Sequence, residues 1–309
     1  MEPKVAVVIP CFNEEPTIGK VVDDFRRALP EAAVYVFDNM STDRSAEIAA
    51  EHGATIRRVK MRGKGQVVAQ VMASVPADVL VVVDGDDTYP AEAVGELLAP
   101  VLADEADMVV GTRMQTYSDK AFRPLHVMGN RLVRGLINLI FRSRLTDIMS
   151  GYRAFTAELA RNVPITAVGF EVETELTLQA LYYGFVIKEV PIEYRERPAG
   201  SNSKLRTFRD GARVLWTIFN IARSAKPLTF FGAAAILLLA LGILAAVPGI
   251  TQYLGHGTVE SFPLLFVGVG LVVLSFQCVG LGVVLHALNV RLKEIASLMR
   301  KAGGPPGRP

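Results

Sequence analysis

Short, wholly apolar runs alternate with helical patterns along the first part of the chain. Val5–Ile9, Val34–Phe37, Val79–Val83 and Met108–Val110 are β-branched and apolar at consecutive positions, so they read as strands buried on both faces. Between them, Thr17–Leu29, Asp43–His52, Gly65–Val75 and Ala91–Ala103 repeat apolar residues at helical spacing. This alternation predicts a parallel sheet with helices on both sides, an α/β domain of Rossmann-like kind, with chemistry beyond the carboxyl ends of the strands. Further on, Phe170–Tyr183 also reads as a helix.

Two later segments are amphipathic and basic. Arg123–Arg144 carries Leu125, Met128, Leu132, Leu136, Leu139 and Ile140 among Arg131, Arg134 and Arg142; Leu205–Ala225 carries Leu205, Phe208, Ala212, Leu215, Trp216 and Phe219 among Arg206, Arg209 and Arg213. Either helix suits a membrane interface, and an ordinary solvated helix is the alternative for each. Beyond Lys226 the pattern changes. No Asp, Glu, Lys or Arg occurs before Glu260, nor from Ser261 to Val290. Both stretches exceed the ~20 residues a helix needs to cross a bilayer core, which predicts spans over 228–250 and 262–288. Gln277 and His286 fall within the second span, where hydrogen bonding between helices is their expected role.

Charge then orients these spans. Arg206, Arg209, Arg213, Arg223 and Lys226 precede the first, Arg291, Lys293, Arg300 and Lys301 follow the second, and the connecting segment 251–260 has no Lys or Arg. The positive-inside rule places both ends in the cytoplasm and the hairpin loop outside. The apolar run before Pro10 is too short for a signal peptide, so the first domain is expected to stay cytoplasmic. The expected division is a catalytic domain over 1–204, a juxtamembrane helix over 205–227, a two-helix hairpin over 228–288 and a cytoplasmic tail over 289–309, of which only Gly303–Pro309 reads as disordered. The two cysteines, Cys11 and Cys278, fall in different domains and argue against a disulfide or metal framework. A formal net charge of +2 implies no nucleic-acid partner; the cations crowd beside the spans, where a lipid bilayer with anionic headgroups attracts them. A homo-oligomer is left open.

The strand ends carry the candidate chemistry. After the first stands Pro10-Cys-Phe-Asn13-Glu14-Glu15 rather than a glycine-rich dinucleotide turn, which speaks against nicotinamide or flavin chemistry. After the second stands Asp38-Asn39-Met40-Ser41-Thr-Asp43, with Ser41 or Asp43 placed to cap a helix and Asp38 directed to the crevice. After the third, Asp84-Gly85-Asp86-Asp87 reads either as oxygen ligands for a hard divalent cation or as a polar turn with a helix cap. Glu171 and Glu173 open a helix, where they complement its dipole or reach a site.

Taken in order, Pro10-x-x-Asn13-Glu14, Asp38, Asp84-x-Asp86, Gly111-Thr-Arg113, Asp147-Ile-Met-Ser150-Gly151-Tyr-Arg153 and Arg197-x-x-Gly-Ser201-x-Ser203-Lys204 resemble the polyisoprenyl-phosphate glycosyltransferases of glycosyltransferase family 2, the group of the dolichol-phosphate mannose synthases. The resemblance implies a GT-A catalytic domain. It implies that Pro10, Asn13, Glu14 and Asp38 bind the nucleoside of a nucleotide-sugar donor. Asp84 and Asp86 would hold Mg²⁺ or Mn²⁺ on its diphosphate, Asp147 would lie at the reacting centre, and Arg113, Arg131, Arg153 and Arg197 would face phosphates. Asp147, Asp86 and Arg153 are the expected catalytic set. The mannose synthases have Asp-Asp-Gly-Ser where this chain has Asp38-Asn39-Met40-Ser41, and Gln where it has Asp87-Thr88-Tyr89-Pro90, which inclines the reading towards a UDP-sugar.

Physical chemistry points the same way. Breaking a sugar–diphosphate bond builds negative charge on the leaving group, which a metal, Lys64 of Arg62-Gly-Lys64-Gly65, and Arg197 or Lys204 can meet, the Gly-Lys-Gly also reading as a turn that leads into a helix. The expected acceptor is a polyprenyl phosphate, undecaprenyl or dolichyl. With a second pKa near 6 it is already ionised at neutral pH, so it needs positioning by guanidinium groups more than a base. Asp147 either orients an arginine or the metal, assists a proton, or caps a helix. Inversion at the anomeric carbon follows from the resemblance alone. The rivals are a processive polysaccharide synthase, whose Gln-x-x-Arg-Trp motif is absent, and a non-catalytic membrane-anchored nucleotide-sugar binding protein.

Overall fold

A computed structural model describes residues 3–113, 134–135, 137–138, 140–141, 143–198 and 207–303. The chain divides into two compact units, Met1–Ile218 and Phe219–Pro309.

In the first unit the strands β1 (Val5–Cys11), β2 (Ala33–Asp38), β3 (Thr55–Arg58), β4 (Val79–Val82), β5 (Met108–Thr112), β6 (Arg153–Thr156) and β7 (Ile187–Pro191) form one sheet in the order β3-β2-β1-β4-β6-β5-β7. The helices are α1 (Ile18–Ala28), α2 (Ser45–Glu51), α3 (Lys64–Ser74), α4 (Val94–Leu102), α5 (Ala157–Asn162) and α6 (Val172–Tyr183). Successive side chains of a strand point to opposite faces. Val7 and Ile9 of β1 accordingly pack with Val22 and Phe25 of α1 and Leu97 of α4, while Val8 packs with Val68 and Val71 of α3 and Leu176 of α6. Each such side chain stabilises the fold by roughly 1.5–3 kcal/mol on full burial, and the continuous apolar runs exist because both faces are covered.

The sheet departs from the all-parallel expectation at one strand. β6 runs antiparallel to both neighbours, pairing Val82 with Arg153 and Val110 with Arg153 from either side. Because it is reversed, β6 enters the sheet at the carboxyl edge of β4 and β5. The turn that precedes it, 147–152, therefore lies beside the Asp84 loop. β3, β6, β7 and α5 carry too little periodicity to be read from the sequence, and the Ala91–Ala103 helix begins as a separate 3₁₀ turn at Ala91–Ala93. The predicted helix over 123–144 lies largely outside the described residues; 134–135, 137–138 and 140–141 are helical.

α7 (Thr207–Ala225) leaves Leu215, Trp216 and Phe219 exposed while Val214 and Ile218 are buried. In the second unit, α8 (Pro227–His256) and α9 (Phe262–Gly303) pair. Pro227–His256 and Phe262–Leu292 are long and apolar enough to cross a membrane. α9 continues as helix past the expected span, through part of the segment expected as a tail, to Gly303. Small residues at seven-residue intervals bring the backbones together: a Cβ on Gly242 would meet Gly268 O, one on Gly249 would meet Leu265, and Ser275 Oγ donates to Ala235 O at 2.9 Å. Among the described residues, Ser275 supplies a hydrogen bond between the helices. Gln277 and His286, expected to supply it, are exposed on α9.

Candidate active site at the carboxyl edge of the sheet

The ends of β1 and β2 are clasped together by side chains. Asn13 N donates to Ser41 Oγ at 3.0 Å, Glu14 N to Ser45 Oγ at 2.8 Å, and Asn13 Oδ1 accepts from Thr42 N at 2.8 Å. Asp43 bonds Ser45 N at 3.0 Å, at the start of α2, whereas Ser41 serves Asn13 and does not cap the helix. Asp38 is buried and accepts from Ser41 N at 3.1 Å. Met40 takes φ 64°, in the left-handed region that favours glycine. Asn39 is buried. Its amide pins the next loop, with Gly63 N donating to Oδ1 and Nδ2 donating to Met61 O, both at 2.7 Å. This loop sets the Arg62 guanidinium 4.5 Å above the Phe12 ring. Pro10, next to last in β1, pairs opposite Phe37.

Lys64, the first residue of α3, reaches two acids. Its Nζ lies 2.5 Å from Asp84 Oδ1 and 2.5 Å from Glu173 Oε1. Burial alone would lower the ammonium pKa, but the two carboxylates more than reverse this and hold Lys64 charged well above its ordinary value. Asp86 is buried; burial and then the charge of Asp84 raise its carboxyl, opposed by Thr88, Arg197 and Lys64. Thr88 Oγ1 donates to Asp86 Oδ1 at 2.6 Å and Arg197 Nη2 stands 2.6 Å from Oδ2. Tyr89 OH accepts from Gly151 N at 3.0 Å. A Cβ on Gly151 would fall on the Asp84 carboxylate, so this position admits only glycine without displacement.

The Asp147 carboxylate is bidentate with Arg113: Nε to Oδ2 at 2.8 Å and Nη2 to Oδ1 at 2.9 Å. Burial alone would raise its pKa, but Arg113 and the N–H groups of Arg113 and Met149 lower it below its ordinary value. Arg113 also lies 5.6 Å over the Tyr194 ring. Among the options the sequence left open for Asp147, this geometry realises the orientation of an arginine.

Arg153 corrects the expectation of a phosphate-facing guanidinium. It is 2% exposed; Nε donates to Ser150 O at 2.9 Å, Nη2 to Ile148 O at 2.7 Å and Nη1 to Thr177 Oγ1 at 2.8 Å. Residue 153 opens β6, whose pairing to β4 and β5 directs this side chain into the interior, where it ties down the 148–150 turn. Burial lowers its pKa, opposed by the negative charges of Glu173 and Asp147. Arg131, Ser203 and Lys204 lie outside the described residues.

Residues 6–163 match the family described as Glycosyl transferase family 2. The chain belongs to that family. This family-2 transferase is 33% identical over 240 residues to glycosyltransferase AglJ of Haloferax volcanii, covering 77% of this chain and 78% of that relative. It is 32% identical over 210 residues to the dolichyl-phosphate hexose transferase of the same organism, covering 68% of this chain and 90% of that one. Its fold is that of glucosyl-3-phosphoglycerate synthase from Mycobacterium tuberculosis, solved with Mn²⁺, UDP-glucose and phosphoglyceric acid, at a TM-score of 0.60 and 23% identity, over 72% of this chain and 80% of that chain. The first unit of this transferase is thus a GT-A domain.

Asp84 and Asp86 fit a divalent cation of the Mg²⁺ or Mn²⁺ kind. Two carboxylates close enough for the charge of Asp84 to act on Asp86, with the Gly151 backbone pressed against Asp84, suit an ion that completes its shell with substrate phosphates and water. Among the described residues no group of three His, Cys, Asp or Glu side chains gathers as an all-protein cage. The sequence reading assigned no role to four residues of this edge: Thr88, Tyr89, Asn39 and Glu189. For Glu173 the sequence left open a helix-dipole role or reach into a site; it is buried against Lys64. The signal available was the alternation Glu171-Val-Glu173-Thr-Glu175 within an apolar helix, since acids placed there need partners. Glu171 accepts from Val168 N and Gly169 N, and Glu175 from Thr166 N and Ala167 N.

Proposed function

We propose that this family-2 transferase moves a hexose-type sugar from a nucleotide-sugar, with UDP-sugars favoured over GDP-mannose, to a polyprenyl phosphate such as undecaprenyl or dolichyl phosphate. The observation that carries the reading is the pairing of Asp147 with Arg113. The acid at the reacting centre is committed to a guanidinium, and Lys64, Arg113 and Arg197 gather at one edge. A sugar hydroxyl acceptor needs a base; an ionised phosphate needs cations that fix it in line with the anomeric carbon. The Haloferax relative named for dolichyl phosphate supports this acceptor class.

A divalent ion on Asp84 and Asp86 supplies Lewis-acid stabilisation of the leaving diphosphate. Around it the chain's own residues have separate tasks. Pro10, Asn13, Glu14 and Asp38 hold the nucleoside, Lys64 and Arg197 neutralise the acids and meet the diphosphate, and Arg113, held by Asp147, faces the phosphates. A single displacement inverts the anomeric centre. α8 and α9 anchor the enzyme as a hairpin, with both ends cytoplasmic and the acceptor phosphate drawn from that leaflet; α7 lies at the interface through Leu215, Trp216 and Phe219.

The test is turnover of purified full-length chain in detergent with UDP- and GDP-sugars, with and without undecaprenyl or dolichyl phosphate, in Mg²⁺, Mn²⁺ or EDTA. The expected result is a lipid-linked sugar and nucleotide release that depend on lipid phosphate and on divalent metal. Nucleotide release indifferent to lipid phosphate, or transfer to a sugar hydroxyl, would overturn the reading.

A further inference from the structure

Glu189 belongs to no motif of the sequence, yet four hydrogen bonds converge on its carboxylate. It lies in β7 beside Val110 of β5. Oε1 accepts from Thr146 N at 2.7 Å and Asp147 N at 2.9 Å; Oε2 accepts from Thr146 N at 2.9 Å and Thr146 Oγ1 at 2.8 Å. Two successive N–H groups and a hydroxyl aimed at one anion make a charge-assisted clamp on the backbone of 146–147. The residue so clamped is the one that holds Arg113, which follows β5 directly and also donates its own N–H to Asp147 Oδ2 at 3.2 Å. The neighbouring parallel strands β5 and β7 therefore grip one loop together, Glu189 by its main chain and Arg113 by its carboxylate.

We propose that Glu189 is a positioning residue for transfer. It fixes the Thr146–Asp147 backbone so that Asp147 aims the Arg113 guanidinium at the reacting phosphates, and it touches no substrate. This rests on the reading of Arg113 as phosphate-facing. Small displacements of such a group cost much of its effect, because the guanidinium acts through geometry.

Glu189→Gln tests it, since the amide keeps the volume but turns one acceptor into a donor facing Thr146. The expected result in the full chain is a fall in kcat of roughly ten- to a hundredfold, as for loss of a charged hydrogen-bond set. The KM values for nucleotide-sugar and polyprenyl phosphate stay close to wild type. Glu189→Asp, which retains both oxygens, recovers part of the rate, and Thr146→Val repeats the loss in milder form should Glu189→Gln not accumulate as folded protein. In an Arg113→Ala background, Glu189→Gln lowers kcat no further. Wild-type kcat in Glu189→Gln, or an undiminished loss in the Arg113→Ala background, would remove the positioning role and leave the role of Arg113 standing. Wild-type kinetics in Arg113→Ala alone would remove that role, and the proposal with it.

Discussion

Replacing Arg153 separates a guanidinium that meets a phosphate from one that holds the fold. In Arg153→Ala three donors at 2.7–2.9 Å disappear from the interior, and Ile148 O and Ser150 O lose them. Each carbonyl left without a donor costs about 1–3 kcal/mol, and the cavity left by a long side chain adds to this. A loss of about 3–5 kcal/mol is expected, a large share of the ~5–15 kcal/mol that holds a domain folded. For a unit of this size that is a fall in melting midpoint of roughly 6–20 °C. Arg153→Lys keeps the charge but offers one ammonium in place of a planar fork, so it falls between. The assay is thermal unfolding of the full chain in detergent, followed by circular dichroism. Steady-state kinetics are then measured well below the transition of the variant. Activity per folded molecule should fall through kcat, because the 148–150 turn carries Gly151 against Asp84. A wild-type midpoint combined with a raised KM for polyprenyl phosphate alone would refute the reasoning and return Arg153 to the acceptor site.

Four further outcomes are expected. Asp86→Asn abolishes turnover and divalent-dependent donor binding, measured by calorimetric titration with UDP-sugar in Mn²⁺ and in EDTA. Gly151→Ala, whose Cβ falls on the Asp84 carboxylate, lowers metal-dependent donor affinity while the chain still folds, at a stability cost of about 1–3 kcal/mol. Asp147 is held below its ordinary pKa, so its contribution is present above the unfolded value of about 3.9 and is lost as pH falls through the folded value. Asp147→Asn should accordingly flatten the acid limb of the stability curve below about pH 4, read by melting midpoint against pH. A tag inserted at Gly257, the cap of α8, should be reached from outside intact cells and one at Pro309 should not; reversed labelling would overturn the topology.

The sequence by itself determined the elements whose signal is local. Val5–Ile9 and Val79–Val83 read as buried strands because both sheet faces are covered. The charge-free stretches after Lys226 and Glu260 read as spanning helices because length and apolarity alone define them. The order of motifs at strand ends determined where the chemistry lies, because parallel strands deliver their carboxyl ends to one edge. What each side chain does there depends on contacts between residues far apart in the chain, and these only the tertiary structure decided. The reversal of β6 turned Arg153 inward and brought Gly151 against Asp84. Pairing across 20 residues and across more than 100 joined Lys64 to Asp84 and to Glu173. The adjacency of β5 and β7 let Glu189 clamp the loop of Asp147. No periodicity encodes such pairings: a carboxylate on a short strand looks the same in sequence whether it faces water or holds a backbone turn, and only the register of its neighbours distinguishes the two.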